Sequence, residues 1–351
     1  MKFKERKNNE KQNDGSVNLN TSTAIEYQEL TEDSARRYFS FWGFSILTAF
    51  VMQEIAQILI LTALYLAAPS ALNNPYITSA IGIMPLYCVG LPICLWLTRK
   101  LPRVSPQRAR IPAGKLLGGL CVAFALMLTG NTASMLITNA IELAKGSSVS
   151  NPVSSLTQDN PVIATLIFTV IVAPILEELF FRKLLCDRLL PFGEGYAVFI
   201  SSAIFALAHG NFFQIFYAFL IGCFFSFIYV KTGKIGYTVI YHVIINFTGT
   251  LVVMWITSAV DADAIAKSGI TLDMLKENTL PVIAYIAYDA LMIALSFIGT
   301  LIVFTNHKKI SLQKGILSPP QNAKISCVFM NFGVACAIAY FALRLVLSLI
   351  V

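Results

Sequence analysis

Residues 160–186 read NPVIATLIFTVIVAPILEELFFRKLLC, an apolar run interrupted near its end by two adjacent glutamates and a basic pair. An α-helix that crosses a bilayer needs about 20 mostly apolar residues, and this run is long enough. A charged side chain at bilayer depth is unfavourable, so Glu177, Glu178 and Arg182 within such a run indicate a functional site. The stretch therefore predicts a membrane-spanning helix that carries the functional groups of the protein.

Apolar runs of this kind recur along the chain. The nine runs lie near residues 40–67, 76–98, 115–141, 160–186, 195–209, 212–230, 236–258, 280–304 and 326–350. The fifth run is short, and only a His-Gly-Asn step separates it from the sixth, so these two could form a tight hairpin or partly re-enter the membrane. The sequence predicts about nine transmembrane helices, with eight as the alternative.

The composition is that of a protein embedded in lipid. Hydrophobic types make up 56% of the 351 residues, whereas Asp, Glu, Lys and Arg make up only 13%. Soluble domains carry about a quarter charged residues, so a soluble enzyme, a disordered chain and a fibrous protein are excluded. The net charge of +7 does not indicate a nucleic-acid partner, because the basic residues lie in loops between apolar runs. We expect an all-α integral membrane protein surrounded by membrane lipid.

The positions of Lys and Arg predict the orientation, because cytoplasmic loops are enriched in these residues. With the N-terminus inside, all but four of the 26 basic residues fall in inner segments. Those segments are residues 1–37, 99–115, 182–188, 231–234 and 308–324. Lys145, Lys267 and Lys276 fall in outer loops, and Arg344 lies in the last run, where its side chain can snorkel to the interface. The sequence predicts a multi-pass protein of the cell membrane with a cytoplasmic N-terminus.

The runs divide the chain into four parts. These are a hydrophilic tail (1–37), flanking transmembrane helices (38–159), a core that contains the chemistry-bearing residues (160–258) and C-terminal transmembrane helices (259–351). The core stands out because it contains two of the three histidines together with the paired glutamates. For Glu54 and Asp289, the other acids in or near spans, we favour a structural hydrogen bond between helices.

The first pattern in the core is EExxxR, formed by Glu177, Glu178 and Arg182. Residues four apart share one face of a helix, so Glu178 can pair with Arg182 while Glu177 points about 100° away. The spacing thus predicts one carboxylate that is neutralised structurally and a neighbour that faces a cavity.

Two further patterns place an imidazole beside a partner. FxxxH puts Phe205 one turn before His209, and HxxxN puts His242 and Asn246 on one face of a helix. At 1.5 Å per residue these groups lie about 10–21 Å above the inner ends of their spans, as does the paired-glutamate motif. We therefore expect one shared site, nearer the inner ends of the helices than the outer ends.

These residue types suit hydrolysis. A carboxylate and a neutral imidazole that face one water are the parts of a general-base hydrolase. A second His with an Asn can donate to the oxyanion that forms when water attacks a carbonyl. Glu177, His209 and His242 could alternatively hold a catalytic zinc with an open fourth position. The HExxH pattern is absent, so zinc rests on ligand types alone and no cofactor is required by the sequence.

The EExxxR, FxxxH and HxxxN patterns, in this order over roughly residues 160–250, resemble those of the CPBP family. This family comprises the CAAX-processing and bacteriocin-processing intramembrane proteases, also called the Abi family. The resemblance implies an α-helical membrane fold whose site opens toward the cytosol. It also implies a peptide or a lipidated protein as substrate. Members are commonly labelled metalloproteases, and a metal-free glutamate mechanism is argued as well.

The resemblance assigns roles to the motif residues. Glu177 and His209 would activate the water, and His242 and Asn246 would stabilise the oxyanion. The residues expected to support the site are Glu178, Arg182 and Phe205.

The expected function is an intramembrane endopeptidase acting on membrane-associated, prenylated or propeptide substrates. A non-catalytic scaffold that regulates a signalling protein or bacteriocin immunity is the alternative from another class, although this chain retains the full set of motif residues. A transporter that uses the buried acids as a proton relay is a third hypothesis. We see no paired repeat with broken helices in the sequence, which speaks against the transporter.

Overall fold

The computed structural model of the chain describes residues 16–17, 28–149, 151, 161–258, 260, 265 and 269–350. Over these residues the protein is almost entirely helical, which confirms the predicted all-α membrane fold. The helices are α1 (Glu32–Ala67), α2 (Pro75–Thr98), α3 (Ala113–Lys145), α4 (Val162–Phe192), α5 (Glu194–Ala208), α6 (Phe212–Thr232), α7 (Ile235–Thr257), α8 (Leu272–Glu277), α9 (Thr279–Lys309), α10 (Gln321–Phe329) and α11 (Phe332–Leu347). The strands have two residues each and are β1 (Ser16–Val17), β2 (Gln28–Glu29), β3 (Arg103–Val104) and β4 (Leu317–Ser318).

Among the described residues, seven helices are long and apolar enough to cross a bilayer, namely α1, α2, α3, α4, α6, α7 and α9. Helices α10 and α11 meet at an angle of 50° and make an eighth candidate if the bent pair is one span. Helix α5 has 15 residues, which is shorter than a typical span. The structure thus gives seven or eight candidates. The short fifth run explains the difference between nine and eight, and the bent pair α10 and α11 explains the difference between eight and seven.

A sharp turn ends α5. Gly210 has a φ of +66°, a conformation that favours glycine, and Asn211 then accepts a hydrogen bond from the backbone N–H of Gln214 at 3.0 Å, which caps α6. Helices α5 and α6 therefore form a tight antiparallel hairpin. His209 lies in the turn itself, directly after the last residue of α5.

Small residues let the membrane helices approach closely. A Cβ atom at Gly130 of α3 would lie 2.2 Å from Cα of Tyr217 in α6, and one at Gly299 of α9 would lie 2.0 Å from the carbonyl oxygen of Cys121. Such contacts are typical of helix packing in lipid, where apolar side chains gain little by leaving the solvent. The outward faces remain apolar; Leu143, for example, is 85% exposed. These faces are the surfaces that we expect lipid to cover.

The predicted inner segments assemble at one end of the helix bundle, which we call the basic end (residues 28–37, 99–115, 183–194, 231–234 and 308–324). Strand β2 pairs in parallel with β4, and β1 with β3. The backbone N–H groups of Ala109 and Glu194 donate to the carbonyls of Thr232 and Gln313, at 2.9 and 3.0 Å. These contacts place loops that are far apart in sequence on the same side of the bundle.

Two details of the basic end differ from the sequence-based expectation. Helix α1 begins at Glu32, capped by Thr31, so its first turns lie within the predicted hydrophilic tail. Arg182, which we assigned to an inner segment, is fully buried in α4 because it pairs with a glutamate one turn away. Most of the tail, and Lys267 of an outer loop, lie outside the described residues.

Candidate active site

Helix α4 is irregular on both sides of the paired glutamates. The segments Thr165–Val172 and Glu178–Cys186 have π-helical hydrogen bonding, and the α-helical turn Ala173–Glu177 lies between them. Pro174 lacks a backbone N–H and cannot complete the regular ladder there. Wider turns of this kind occur often at functional sites, where they alter the direction in which side chains point.

Glu178 is fully buried, and Arg182 and His242 are among its partners. Its Oε2 atom lies 3.0 Å from Nε of Arg182, one turn later on the same helix. Its Oε1 atom lies 3.0 Å from Nδ1 of His242, which comes from α7. The carboxylate can only accept, so Nδ1 of the imidazole donates, and Nε2 is the nitrogen left to face other groups.

Arg182 is held among aromatic rings. Its guanidinium carbon lies 4.7 Å from the ring centre of Phe205 and 5.9 Å from that of Phe225. Its Nη1 and Nη2 atoms are buried and have no hydrogen-bond partner among the described residues. Glu178 and the faces of two aromatic rings thus stabilise the cation. The contact with Arg182 also holds the ring of Phe205, which packs against both His209 and His242.

Glu177 points away from this ion pair. Its side chain is 19% exposed, and Oε2 lies 3.6 Å from Nε2 of His242. Within the part of the chain that the structure describes, this oxygen has no hydrogen-bond partner. A buried carboxylate oxygen without a hydrogen-bond partner is unusual in a protein, which marks Glu177 as a candidate functional group.

His209 has a defined tautomer. Its Nδ1 atom lies 2.8 Å from the carbonyl oxygen of Phe205, and since a carbonyl only accepts, Nδ1 carries the hydrogen. The Nε2 atom of a neutral His209 is therefore an acceptor. The ring of Phe205 lies edge-on to both imidazoles, with centroid distances of 4.9 Å to His209 and 5.8 Å to His242.

Asn246 lies one turn after His242 on α7. Its Nδ2 atom donates to the carbonyl of Thr169, at 2.9 Å, in the first π-helical segment of α4. This bond uses one of the two amide hydrogens and joins α7 to α4. The second amide hydrogen remains available to a ligand.

All four predicted catalytic residues line one cavity of about 930 Å³. The four are Glu177, His209, His242 and Asn246. Of the supporting residues, Phe205 also lines it, whereas Glu178 and Arg182 lie behind the wall. A cavity of this volume is at the upper end of the range for ligand pockets, which is sufficient for a short peptide. The lining residues come from the middle of the bundle and from the half that points away from the basic end, and His242 lies in the half of α7 nearer the basic end.

The predicted zinc ligands do not fit a metal site. Among the described residues, no three His, Cys, Asp or Glu side chains are grouped so that they could hold a metal ion. Nδ1 of His242 donates to Glu178 and Nδ1 of His209 donates to a backbone carbonyl, which leaves both Nε2 atoms for other groups. Glu177 Oε2 lies 3.6 Å from Nε2 of His242. The arrangement instead leaves two nitrogens and a carboxylate oxygen around a cavity.

A charged residue that we assigned to the lipid interface also lines the cavity. Arg344 of α11 does not snorkel; its Nη1 atom donates to the carbonyl of Ala208 at 3.2 Å, and its Nε lies 3.6 Å from Glu54 of α1. Its guanidinium covers Gly210, where a Cβ would lie 3.2 Å from Nη2. A charged residue within a membrane span is by default a candidate functional residue, and this applies to Arg344 as well. Only the fold shows that its side chain is directed toward the cavity.

Residues 159–248 match the family model described as type II CAAX prenyl endopeptidase Rce1-like. The resemblance to the CPBP family is confirmed over this segment. Residues 159–248 contain all the motif residues, from Glu177 to Asn246. Outside this matched segment, helices α1, α2, α3 and α11 also contribute side chains to the wall of the cavity. No curated protein and no solved structure matches the chain.

Proposed function

We propose that this protein is an intramembrane endopeptidase that hydrolyses a peptide bond with a water activated by Glu177 and His209. The family match supports protease activity of the CAAX type. The roles of individual residues and the nature of the substrate go beyond that match. The single observation that carries the proposal is the convergence of four motif side chains from three separate helical segments on one cavity.

Activation of water requires a proton acceptor that is not already occupied. Glu177 Oε2 has no hydrogen-bond partner among the described residues, and His209 presents an unprotonated Nε2 when neutral. A water held between such groups loses a proton to one of them as its oxygen attacks the carbonyl carbon. The proton is then passed to the nitrogen of the leaving amine.

Charge develops on the carbonyl oxygen during this attack. The free Nδ2–H of Asn246 can donate to it, and Nε2 of His242 can donate when the imidazole carries both protons. Glu178 accepts a hydrogen bond from Nδ1 and so holds the imidazole in place. Collapse of the tetrahedral intermediate breaks the C–N bond and gives a carboxylate and an amine, so water is the only co-reactant.

The basic end is proposed to face the cytoplasm, which gives a cytoplasmic N-terminus. What supports this orientation is the accumulation of Lys and Arg at that end together with the pairing of its loops. The multi-pass membrane character itself rests on the apolar helices and the family match.

The test compares membrane and secreted peptides, by mass spectrometry, from cells that carry the wild type or Glu177→Gln. We expect at least one peptide whose trimming stops in the variant while the amount of protein in the membrane is unchanged. Glu29→Gln, at an exposed carboxylate of the basic end, is the matched control and should leave the trimming intact. If both variants keep every product and the full cellular phenotype, a non-catalytic scaffold explains the protein better than an enzyme.

A further inference from the structure

One tyrosine of α2 lines the cavity together with the four motif side chains. The cavity-lining residues of α2 begin at Thr78 and end at Tyr87, and they recur with the spacing of one helix face. Tyr87 is buried, with only 9% of the residue exposed. It lies far outside residues 159–248, which match the family model, so none of the motifs includes it.

The backbone around Tyr87 shares a feature with the motif-bearing helices. In the part of the chain that the structure describes, four segments have π-helical hydrogen bonding, and each contributes at least one residue to the cavity wall. They are Leu86–Gly90, Thr165–Val172, Glu178–Cys186 and Phe247–Val252. Such segments occur often at functional sites, which favours a functional role for the α2 segment as well.

The π-helical segment of α2 has a local cause and a fixed position. The backbone N–H of Leu91 donates to the carbonyl of Leu86, five residues earlier, and Pro92 has no N–H with which to resume the regular ladder. A Cβ atom at Gly90 would lie 2.8 Å from the carbonyl oxygen of Ala49, so this part of α2 packs tightly against α1. The segment therefore holds the ring of Tyr87 in the wall of the cavity.

The hydroxyl of Tyr87 differs from those of the other buried tyrosines. Three of the four buried tyrosines in the described residues donate a hydrogen bond. These are Tyr38 to the carbonyl of Arg188 at 2.6 Å, Tyr229 to Asp187 at 2.6 Å, and Tyr241 to the carbonyl of Leu116 at 3.0 Å. For Tyr87 no partner is found among those residues. A buried tyrosine hydroxyl usually has a partner, so this one is available to a molecule bound in the cavity.

The electrostatic surroundings place this hydroxyl beside the proposed base. Of the charged groups, Glu177 acts most strongly on the phenol, and Glu178 acts next. Helix α2 packs against the first half of α4, the helix that carries both glutamates. The hydroxyl does not donate to Oε2 of Glu177, which keeps that oxygen free for water. A hydrogen-bond donor thus lines the cavity on the side where the proposed water attacks.

We propose that Tyr87 is a further catalytic residue, whose hydroxyl donates a hydrogen bond to the carbonyl oxygen of the scissile peptide bond as negative charge develops on it. This inference rests on the proposed peptidase function. In a neutral His242 the only N–H donates to Glu178, so Nε2 cannot donate until it gains a proton. A phenol is a donor in its ordinary neutral form, and tyrosine is among the side chains that serve as oxyanion donors. Tyr87 and Asn246 would supply two donors that need no change of protonation.

The experiment uses Tyr87→Phe, which keeps the ring in the wall and removes only the hydroxyl. We measure kcat and KM of the purified full-length enzyme on the peptide identified from the Glu177→Gln comparison, and the midpoint of thermal unfolding in detergent. Tyr38→Phe is the matched control, because it removes a buried hydroxyl that has a structural partner. Tyr76→Phe changes an exposed tyrosine of α2 outside the cavity lining and should resemble the wild type.

We expect Tyr87→Phe to lower kcat about 10²–10³-fold with little change in KM, as is typical when one oxyanion donor is removed. Its unfolding midpoint should be unchanged or higher, because the hydroxyl that is lost has no partner in the described part of the fold. Tyr38→Phe should show the opposite pattern, with a lower midpoint and an unchanged kcat.

An unchanged kcat for Tyr87→Phe would overturn the proposal, as would a rise in KM alone. A lower midpoint in this variant would overturn it as well, because the hydroxyl would then stabilise the fold. Full cleavage by Tyr87→Phe alongside loss of cleavage in Glu177→Gln would refute only the role of Tyr87. Normal trimming in Glu177→Gln would refute the peptidase function itself.

Discussion

The Nδ1 atom of His242 lies 3.0 Å from Oε1 of Glu178. The two residues are far apart in the chain, and this bond sets both the orientation and the tautomer of the imidazole. Because Nδ1 is engaged, Nε2 is the nitrogen that faces the cavity, 3.6 Å from Oε2 of Glu177. Glu178 itself does not line the cavity, so it acts on the site only by positioning His242 and by neutralising Arg182.

Removal of one partner of the ion pair between Glu178 and Arg182 should destabilise the fold. Glu178→Gln keeps an oxygen that can accept from His242 but leaves the buried guanidinium without a counter-charge. Breaking one side of a buried pair typically costs about 3–5 kcal/mol, so we expect a clearly lower midpoint of thermal unfolding in detergent. Glu32→Gln is the matched control, because Glu32 forms a partly exposed pair with Arg36 at the same spacing, worth about 1 kcal/mol or less.

A double variant separates stability from positioning. Glu178→Met combined with Arg182→Met removes both charges, and replacement of a buried pair by groups of similar volume is often close to neutral. We expect the unfolding midpoint to recover while peptide cleavage stays low, since methionine cannot accept the hydrogen bond from Nδ1 of His242. Recovery of wild-type cleavage by the double variant would contradict the positioning role of Glu178.

Asn246 should contribute to the transition state more than to binding. In Asn246→Ala the proposed oxyanion loses one donor, for which a decrease in kcat of about 10²–10³ with little change in KM is typical. The assay uses the peptide identified from the Glu177→Gln comparison and the purified enzyme. Asn139→Ala, which removes an exposed amide that lines the cavity, is the control and should alter KM more than kcat. Equal kcat values for both variants would remove Asn246 from the mechanism.

Arg344 should position His209. Its bond to the Ala208 carbonyl fixes the turn that begins at His209, and displacement of a reacting group by about 1 Å can lower the rate by about 100-fold. We therefore expect Arg344→Met to decrease kcat, and Arg344→Lys to restore part of it because an ammonium can still reach one carbonyl. Arg99→Met, at an arginine that stacks on Trp96 outside the cavity, should have wild-type kinetics. A change in KM alone for Arg344→Met would contradict a positioning role.

Chelation should leave the activity intact. Among the described residues no three suitable side chains are grouped to hold a metal, and the proposed mechanism needs only water, carboxylate and imidazole. We expect the purified enzyme to retain peptide cleavage after treatment with 1,10-phenanthroline and dialysis. The metal content of the same sample, measured by mass spectrometry, should be less than one zinc ion per chain. Loss of activity that zinc alone restores would show instead that Glu177, His209 and His242 rearrange to bind it.

Much of the site could be predicted because its motifs are local. Residues four apart meet on one face of a helix whatever the rest of the chain does, and this rule brings Glu178 to Arg182 and Phe205 to His209. The roles of Glu177, His209, His242 and Asn246 remain predictions from the motifs, although the fold brings all four to one cavity. The direction of Arg344 could not be predicted, because a long side chain near a helix end can snorkel or turn inward with the same local sequence.

The sequence by itself determined that the chain is a helical membrane protein with a motif-bearing core between residues 160 and 258. This was possible because a helix in lipid must satisfy its own backbone hydrogen bonds and present apolar side chains over its whole length. Both the composition and the length of the apolar runs therefore reveal the spans. Only the tertiary structure decided that His242 is held by Glu178, that Arg344 joins α11 to the turn after α5, and that α1, α2 and α3 contribute to the wall of the cavity. These features depend on which helices pack together and on their relative positions along the bundle axis. Contacts between residues far apart in the chain cannot be recognised from a single sequence.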